Sequence, residues 1–321
     1  MLENTVYNKV YKTMLHDRPK WVIPMVNEIF QEQYKGQERI EFLEGTHYIK
    51  DTDGKLVERA TDSYFKIMDE REQEFHLEAQ STADTTMVLR VYEYDSAIAY
   101  KYRIVDVENL IVKFPRSAVL FLRYTKNTPD VLKLVVKMED SMAVQRVPSM
   151  KLGNYTLEVI FKKRLLILIP FYIFVYENKF MVYNEDVREL EKLKDVFRKM
   201  KEHLDMLVER GELDAYDRHF LISMTVKVAE NLAEKFEHIV KGVKEVMFAA
   251  GIDYMSREEF YRVRAEGLAA GRSEGFTAGR SEGFTAGERN AYLVLLKEGA
   301  ITLAVAAKHL NMSEEKVKSL L

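Results

Sequence analysis

The segment from Thr61 to Ser81 contains acidic and amide residues whose types and spacing suit hydrolytic chemistry. It reads as two strands, SYFKIM and EFHLEAQS, joined by a charged loop. Side chains alternate along a strand, so His76, Glu78 and Gln80 point to the same side. Asp62 lies at the start of the first strand, and antiparallel pairing of a hairpin brings it close to Glu78.

Two carboxylates held close together repel each other unless a cation lies between them. A divalent cation with oxygen ligands, Mg²⁺ or Mn²⁺, is the natural occupant. The backbone carbonyl of Ala79 is a third oxygen beside Asp62 and Glu78, and the amide of Gln80 is placed to position a water molecule. Such a metal lowers the pKa of a bound water and neutralises charge on phosphoryl oxygens. The pattern therefore predicts phosphodiester cleavage by Asp62, Glu78 and Gln80.

The composition of the chain excludes several kinds of chemical site and several classes of protein. The chain has 321 residues and no cysteine, which excludes disulfides, thiolate nucleophiles, zinc–cysteine sites and iron–sulfur clusters. The N-terminal residues lack the basic-then-apolar pattern of a signal peptide. The longest apolar run, Leu165–Tyr176, contains Pro170 and is too short to span a bilayer. These features predict a soluble, cytoplasmic protein without a membrane partner.

Charge is distributed unevenly along the chain. The net charge is -3, yet residues 1–80 carry 11 basic and 16 acidic side chains, and residues 111–164 carry 11 basic and 4 acidic ones. An acidic stretch near a basic one is compatible with a cation site beside a polyanion-binding surface. Solvated strand faces that alternate basic and apolar residues are the alternative explanation of the basic stretch, and the charge alone favours this alternative.

The periodicity of apolar residues predicts the elements that position the acidic pair. Residues 6–34 read as helical, with breaks near Pro19 and Pro24. Strands follow from residue 40 to residue 67, with an Asp-Gly hairpin turn at residues 51–54. After the acidic hairpin comes a helix, whose predicted inward residues are Met87, Val91, Tyr94, Ile98 and Tyr102.

The second half of the chain changes from strands to helices. Residues 117–176 are predicted to be strand-rich, with strands at AVLFLRY, VLKLVVKM and YTLEVIF. From about residue 186 to residue 250 the apolar period becomes 3.6, which indicates several amphipathic helices. The fold class predicted is α/β (α+β), with a mixed sheet flanked by helices and an all-helical C-terminal region.

A glycine lies at every fourth position between Gly267 and Gly287, where the unit GRSEGFTA occurs twice in tandem. On a helix this spacing makes a ridge that permits close helix–helix approach, and the cost of the glycines calls for a partner such as a second subunit. A duplicated flexible tether is the alternative. Residues 301–321 read as two short helices, with Ser313 capping the second; this is similar to a helix-turn-helix unit and also to an ordinary helical chain end.

The motif D-(x15)-E-x-Q on a hairpin followed by a helix resembles the PD-(D/E)XK nuclease superfamily. More narrowly, the chain resembles the Rpn family, the recombination-promoting nucleases often labelled PD-(D/E)XK family transposases. Further features agree in order along the chain: VNEIF in the N-terminal helix, Arg90 and Tyr94 in the helix after the motif, LIPFY after the sheet, the glycine-every-four segment, and the terminal helical pair.

The resemblance implies a restriction-endonuclease-like core and specific residue roles. Asp62 is implied to be the metal-binding aspartate and Glu78 the glutamate of the (D/E)XK element. Gln80 stands where the wider superfamily has lysine, and because it carries no positive charge, a second ion or a basic neighbour such as Arg90 or Lys66 must compensate. Glu28 is the possible counterpart of a helical metal-binding acid.

The function implied is that of a Mg²⁺-dependent bacterial DNA endonuclease with roles in recombination, transposition or defence. It contacts the DNA backbone with little sequence specificity, leaves a 5′-phosphate and a 3′-hydroxyl, and forms a homo-oligomer through the glycine-ridged helix. The predicted divisions are a nuclease core at 1–180, a helical region at 181–252, the glycine segment at 253–298 and the terminal pair at 299–321. The alternative is a catalytically decayed nuclease fold that acts as a DNA- or protein-binding oligomerising factor.

Overall fold

A computed structural model describes residues 5–43, 46–50, 56–106, 108–249, 303–304, 307 and 314–318; at 46–50 and 56–60 it describes the backbone. The chain divides into two compact units, Met1–Ala249 and Ala250–Leu321. The predicted divisions at residues 180 and 298 stay predictions. The glycine-every-four segment and Ser313 lie outside the described residues, whereas the second terminal helix is confirmed at Glu314–Lys318.

A six-stranded mixed sheet forms the centre of the first unit. The strands in the described part of the chain are β1 (Arg39–Phe42), β2 (Thr46–Lys50), β3 (Leu56–Ala60), β4 (Ser63–Met68), β5 (Gln73–Gln80), β6 (Ile104–Val105), β7 (Leu110–Ile111), β8 (Arg116–Phe121), β9 (Val131–Lys137) and β10 (Met142–Lys151). The order in the large sheet is β1-β4-β5-β8-β10-β9. Strands β5, β8 and β10 run parallel, and the other neighbours pair antiparallel.

Helices cover both faces of this sheet. The helices described in the first unit are α1 (Val6–Asp17), α2 (Val22–Phe30), α3 (Met87–Lys101), α4 (Leu157–Lys162), α5 (Phe180–Glu185), α6 (Val187–Glu209), α7 (Ala215–Leu232) and α8 (Glu237–Met247), and α9 (Glu314–Lys318) belongs to the second unit. Helix α3 packs on the face that carries Val119 and Phe121. The larger core lies on the other face, where Leu77 and Leu120 join buried residues of α1, α2 and the C-terminal helices. The prediction of a mixed sheet flanked by helices, followed by a helical region, is therefore confirmed.

The acidic hairpin has the predicted architecture. Strands β4 and β5 pair antiparallel with Ser63 opposite Leu77 and Tyr64 opposite His76. The smaller pair β2–β3 is also antiparallel, with Lys50 opposite Leu56, so strands flank the predicted Asp-Gly turn at 51–54, which itself lies outside the described residues. Strand β5 is a central strand of the sheet, and Glu78 is therefore fixed between two neighbouring strands.

The strand predicted at YTLEVIF is wrong, because helix α4 occupies Leu157–Lys162. Thr156 caps it: its hydroxyl accepts a hydrogen bond from the Val159 amide, and Glu158 lies in the first turn. These capping interactions stabilise a helix start, and they outweigh the alternation of apolar residues that suggested a strand. The predicted inward position of Tyr102 is also wrong: α3 ends at Lys101, and Tyr102 is exposed.

The apolar run after α4 forms a 3-10 helical segment, Leu166–Lys179, instead of part of the strand-rich region. Together with α5 it makes one stretch, Leu166–Glu185, which among the described residues has the length and the apolar composition of a membrane span. The helical stretch is longer than the apolar run, because it continues through Glu177, Asn178 and Lys179 into α5. However, 61% of its most apolar window is buried inside the protein, as expected of a core helix.

A buried carboxylate pair as the candidate active site

Asp62 and Glu78 are joined by the backbones of their own strands. The Asp62 amide donates to Glu78 Oε1 at 2.9 Å, and the Ala79 amide donates to Asp62 Oδ2 at 3.1 Å. Each carboxylate is thus held by a backbone amide next to the other one, Glu78 by an amide just before β4 and Asp62 by an amide within β5. The prediction that the hairpin brings these two acids together agrees with this geometry, and one oxygen of each is fixed by a backbone donor.

Burial makes the two carboxylates electrostatically unequal. Their side chains are only 5% (Asp62) and 2% (Glu78) exposed. Burial, followed by the charge of Glu78, raises the pKa of Asp62 to about 7. Burial also acts against ionisation of Glu78, but the hydrogen bond and charge of His76, together with Arg90 and the Asp62 amide, hold the Glu78 pKa below its usual value. Near neutral pH the pair therefore favours an ionised Glu78 and stands near the midpoint of Asp62 ionisation.

A second layer of buried polar groups fixes Glu78 from behind. His76 Nε2 lies 2.9 Å from Glu78 Oε1, and His76 Nδ1 lies 2.7 Å from Asp95 Oδ1. On α3, Asp95 also accepts hydrogen bonds from Ser117 (2.7 Å) and Gln145 (2.5 Å). Although burial opposes it, the hydrogen bonds to Asp95 and Glu78 raise the pKa of His76 to about 9. A charged imidazolium thus lies between two buried carboxylates and orients Glu78.

Two cationic side chains from opposite sides reach the remaining carboxylate oxygens. Lys12 Nζ of α1 lies 3.4 Å from Asp62 Oδ1, and Arg90 Nη2 of α3 lies 3.3 Å from Glu78 Oε2. Both distances are long for charge-assisted hydrogen bonds, which are typically about 2.7–2.9 Å. Lys12 and Arg90 are also partly exposed, at 39% and 23% of their side chains. The pair therefore has a tightly held side in the protein and a loosely engaged side next to flexible cations.

The metal that the motif implies would bind at the loosely engaged side. Within the described ranges no group of three His, Cys, Asp or Glu side chains is arranged to hold a metal ion. Mg²⁺ typically uses only one or two carboxylates and completes its shell with water and substrate phosphate, so two acids suffice. Asp62 and Glu78 would hold it, and a cation there would offset the negative charge of Glu78, which adds to the effect of burial in raising the pKa of Asp62.

The other predicted site residues differ in whether they contact the carboxylate pair. Gln80 is buried on the same side of β5 as Glu78, and its amide nitrogen donates to the Thr82 hydroxyl at 2.5 Å. At Ala79 the contact with the pair is made by the amide, and the role of its carbonyl as a metal ligand stays a prediction. Arg90 contacts Glu78, as proposed for a compensating cation, whereas Lys66 pairs with Glu72 and Glu74 at the far end of the hairpin.

Glu28 belongs to a different cluster. Its carboxylate accepts hydrogen bonds from Tyr155 at 3.2 Å and from Lys163 at 2.6 Å. Glu28 and Lys163 line part of a cleft of about 1080 Å³ that also involves the loop between α6 and α7. In the part of the chain that the structure describes, no metal-binding group includes Glu28. Its proposed role as a metal ligand therefore gains no support from the geometry.

The basic stretch 111–164 is partly neutralised by acids from elsewhere in the fold. Carboxylates from α2, from the 3-10 segment and from the loop after α6 supply most of the partners. Among the described residues, the stretch forms the ion pairs Arg116–Glu32, Arg123–Glu177, Lys151–Asp130, Lys163–Glu28 and Arg164–Glu212. The positive balance of this stretch consequently overstates the charge available to a polyanion.

Two of the other cations in this stretch lie on the sheet face opposite to the carboxylate pair. Among the described residues, no ion pair involves Lys113, Lys126, Lys133, Lys137, Arg146 or Lys162. Glu78 is paired with Val119, and Val119 is paired with Ser149, so these three side chains share one face of the sheet. Arg146 is three positions before Ser149 and therefore points to the opposite face, as does Lys133, with which it is paired. The cations nearest to the pair are instead Lys12 and Arg90.

Sequence reasoning missed Lys12 and Asp95. Asp95 had a detectable signal, because it lies four positions after Val91 on the buried stripe of α3. Lys12 had none within its own segment, since it is 50 residues away from Asp62 and meets it only through the packing of α1. Comparisons of the chain with protein families, with curated proteins and with solved structures return no match.

Proposed function

We propose that this protein is a divalent-metal-dependent DNA endonuclease of the recombination-promoting, transposase-like type, with a restriction-endonuclease-like core. The observation that carries the proposal is the mutual backbone locking of Asp62 and Glu78, which keeps two acids together in a buried site. The choice of DNA as substrate rests on the resemblance of the motif and of the order of elements. Asp62 and Glu78 are the metal-holding residues of this proposal, and Gln80 lies beside them.

The protein groups of the site have separate tasks in this mechanism. A bound metal supplies an activated water and neutralises charge on the phosphoryl oxygens. His76 keeps Glu78 ionised and in one orientation, which preorganises the ligand set before substrate arrives. Gln80, held by Thr82, presents a neutral side chain to the site. A water oxygen bonds to phosphorus and the P–O3′ bond breaks. One water proton goes to O3′, and the other is released as the new 5′-phosphate ionises.

Nicking of supercoiled plasmid tests this proposal. With Mg²⁺ or Mn²⁺ we expect the purified full-length chain to convert supercoiled plasmid to the nicked form, and we expect EDTA to stop it. Ligation should seal the nicks without prior kinase treatment, because the products carry a 5′-phosphate and a 3′-hydroxyl. Plasmid that stays supercoiled with every divalent metal would contradict the proposal.

The second candidate function is that of a catalytically decayed nuclease fold that binds DNA or protein. It is favoured by one feature: Lys12 and Arg90 already stand at the carboxylate oxygens that a metal would use. On this hypothesis the two side chains replace the cation permanently. It predicts duplex binding without metal dependence and without nicking, which separates it from the endonuclease.

A further inference from the structure

Lys12 forms an ion pair with Asp62, whereas Gln80 of the sequence motif carries no charge. The ammonium lies 3.4 Å from Asp62 Oδ1. Gln80 is neutral and is engaged with the Thr82 hydroxyl at 2.5 Å. Arg90 reaches the other acid, Glu78, at 3.3 Å. A phosphate that approaches Asp62 would therefore meet Lys12 first.

Packing of helix α1 fixes the backbone position of Lys12 beside Asp62. Val10, Tyr11, Met14 and Leu15 are buried in the core, so the helix cannot turn without exposing them. Tyr11, the residue next to Lys12, is fully buried, and its hydroxyl lies close to Ser63, the residue that follows Asp62. Burial raises the pKa of Tyr11, and the nearby charges of Asp62 and Glu78 add to the effect, which shows how closely α1 lies against the pair.

Lys12 is also the side chain of the site that solvent reaches best. It is 39% exposed, whereas Asp62, Glu78 and Arg90 are 5%, 2% and 23% exposed. Its contact with Asp62 is too long for a strong hydrogen bond, so little holds the ammonium back from another anion. A flexible four-carbon stem lets the ammonium leave Asp62 and follow a phosphate.

We infer that Lys12 is a catalytic residue whose ammonium transfers from Asp62 to a non-bridging oxygen of the scissile phosphate when substrate and metal bind. This inference rests on the proposed function. Asp62 is thereby released to the metal, and the charge that Gln80 lacks is supplied by α1. As the water oxygen bonds to phosphorus and the P–O3′ bond breaks, the ammonium stabilises the negative charge that grows on the phosphoryl oxygens.

Lys12→Met tests the inference, and Lys9→Met is its control, because Lys9 is an exposed lysine of the same helix. Loss of one preorganised donor to a transition-state oxygen typically costs about 10²–10³-fold in rate, and we expect that loss of nicking in Lys12→Met. Lys9→Met should nick like the wild type. Lys12→Arg should restore part of the rate, since it retains the positive charge.

A second readout does not depend on cleavage. Binding of a labelled duplex is measured with Ca²⁺ at several salt concentrations, and Lys12→Met should lower the slope of log affinity against log salt by about 0.9, the value for one lost phosphate contact. Equal nicking and equal slopes in Lys12→Met and Lys9→Met would overturn the inference while leaving the endonuclease intact. The wild type could also bind the duplex without nicking, while Lys12→Met lowers the slope. That result would support the contact between Lys12 and phosphate, but it would overturn both the endonuclease activity and the catalytic role of Lys12.

Discussion

Plasmid nicking is expected to fall by about 10³-fold or more in both Asp62→Asn and Glu78→Gln, since each change removes a metal-holding carboxylate from the site. Either amide is close in size to the acid it replaces, and an amide oxygen can still accept the backbone hydrogen bond of the opposite strand. Asp195→Asn is the matched control. Asp195 is half exposed on α6, and its loss should leave nicking unchanged.

The folding control for Asp62→Asn has a predicted sign. Because the folded-state pKa of Asp62 is raised to about 7, the folded protein binds more protons than the unfolded chain between about pH 4 and pH 7. The wild type therefore loses stability as pH rises through this window. Asp62→Asn lacks this loss, and at pH 8 its free energy of unfolding should exceed that of the wild type by on the order of 2–4 kcal/mol without metal.

Urea unfolding at pH 5 and pH 8 measures this difference. A variant that is inactive and yet more stable at pH 8 would mark Asp62 as a residue kept at a cost to stability, as expected of an active site. Nicking in Asp62→Asn at the rate of Asp195→Asn would remove Asp62 from the mechanism.

His76→Leu is expected to destabilise the protein by about 3–5 kcal/mol, because it leaves Glu78 and Asp95 as buried carboxylates without the imidazolium between them. The imidazole bonds to both acids, and all three residues are 2% exposed or less. The folded-state pKa of His76 is raised to about 9, so its contribution to stability is complete below about pH 6.5 and is lost as pH rises toward 9.

Urea unfolding at pH 6.5 checks this prediction, where the imidazolium contributes fully. Asp95→Asn added to His76→Leu should recover part of the loss, since it removes one of the two carboxylates that the imidazolium bridges in the wild type. His16→Leu is the control, because His16 is 77% exposed and should change stability little. A loss in His76→Leu no larger than in His16→Leu would contradict the buried network.

The core of the candidate site was accessible to sequence reasoning because it is local. Asp62 and Glu78 belong to one hairpin, and strand alternation with antiparallel pairing is enough to bring them together. The helices after residue 186 were equally readable from their apolar period, which depends on neighbours along the chain. Asp95 was within reach too, as an acid on the buried stripe of α3.

Other features could not be predicted from the sequence, because they depend on packing between distant segments or because two local patterns favour different structures. Lys12 meets Asp62 only because α1 packs beside the start of β4, and no spacing within residues 6–34 records that contact. Helix α4 was mistaken for a strand since alternating apolar residues suit both, and the decisive factor was the Thr156 cap. The positive balance of residues 111–164 overstates the charge that this stretch offers to a polyanion. Five of its cations are paired with acids, and most of these acids come from outside the stretch.

Isothermal titration of Mn²⁺ into the wild type, Asp62→Asn, Glu78→Gln and Asp195→Asn at pH 8 tests the central claim most directly. At this pH Asp62 is mostly ionised, and the carboxylate pair is ready for a cation. We expect the wild type and Asp195→Asn to bind the metal equally, and each site variant to bind it at least about tenfold more weakly, a difference of roughly 1.4 kcal/mol or more. Equal Mn²⁺ affinity in all four proteins, or no binding to the wild type, would contradict a metal site formed by Asp62 and Glu78.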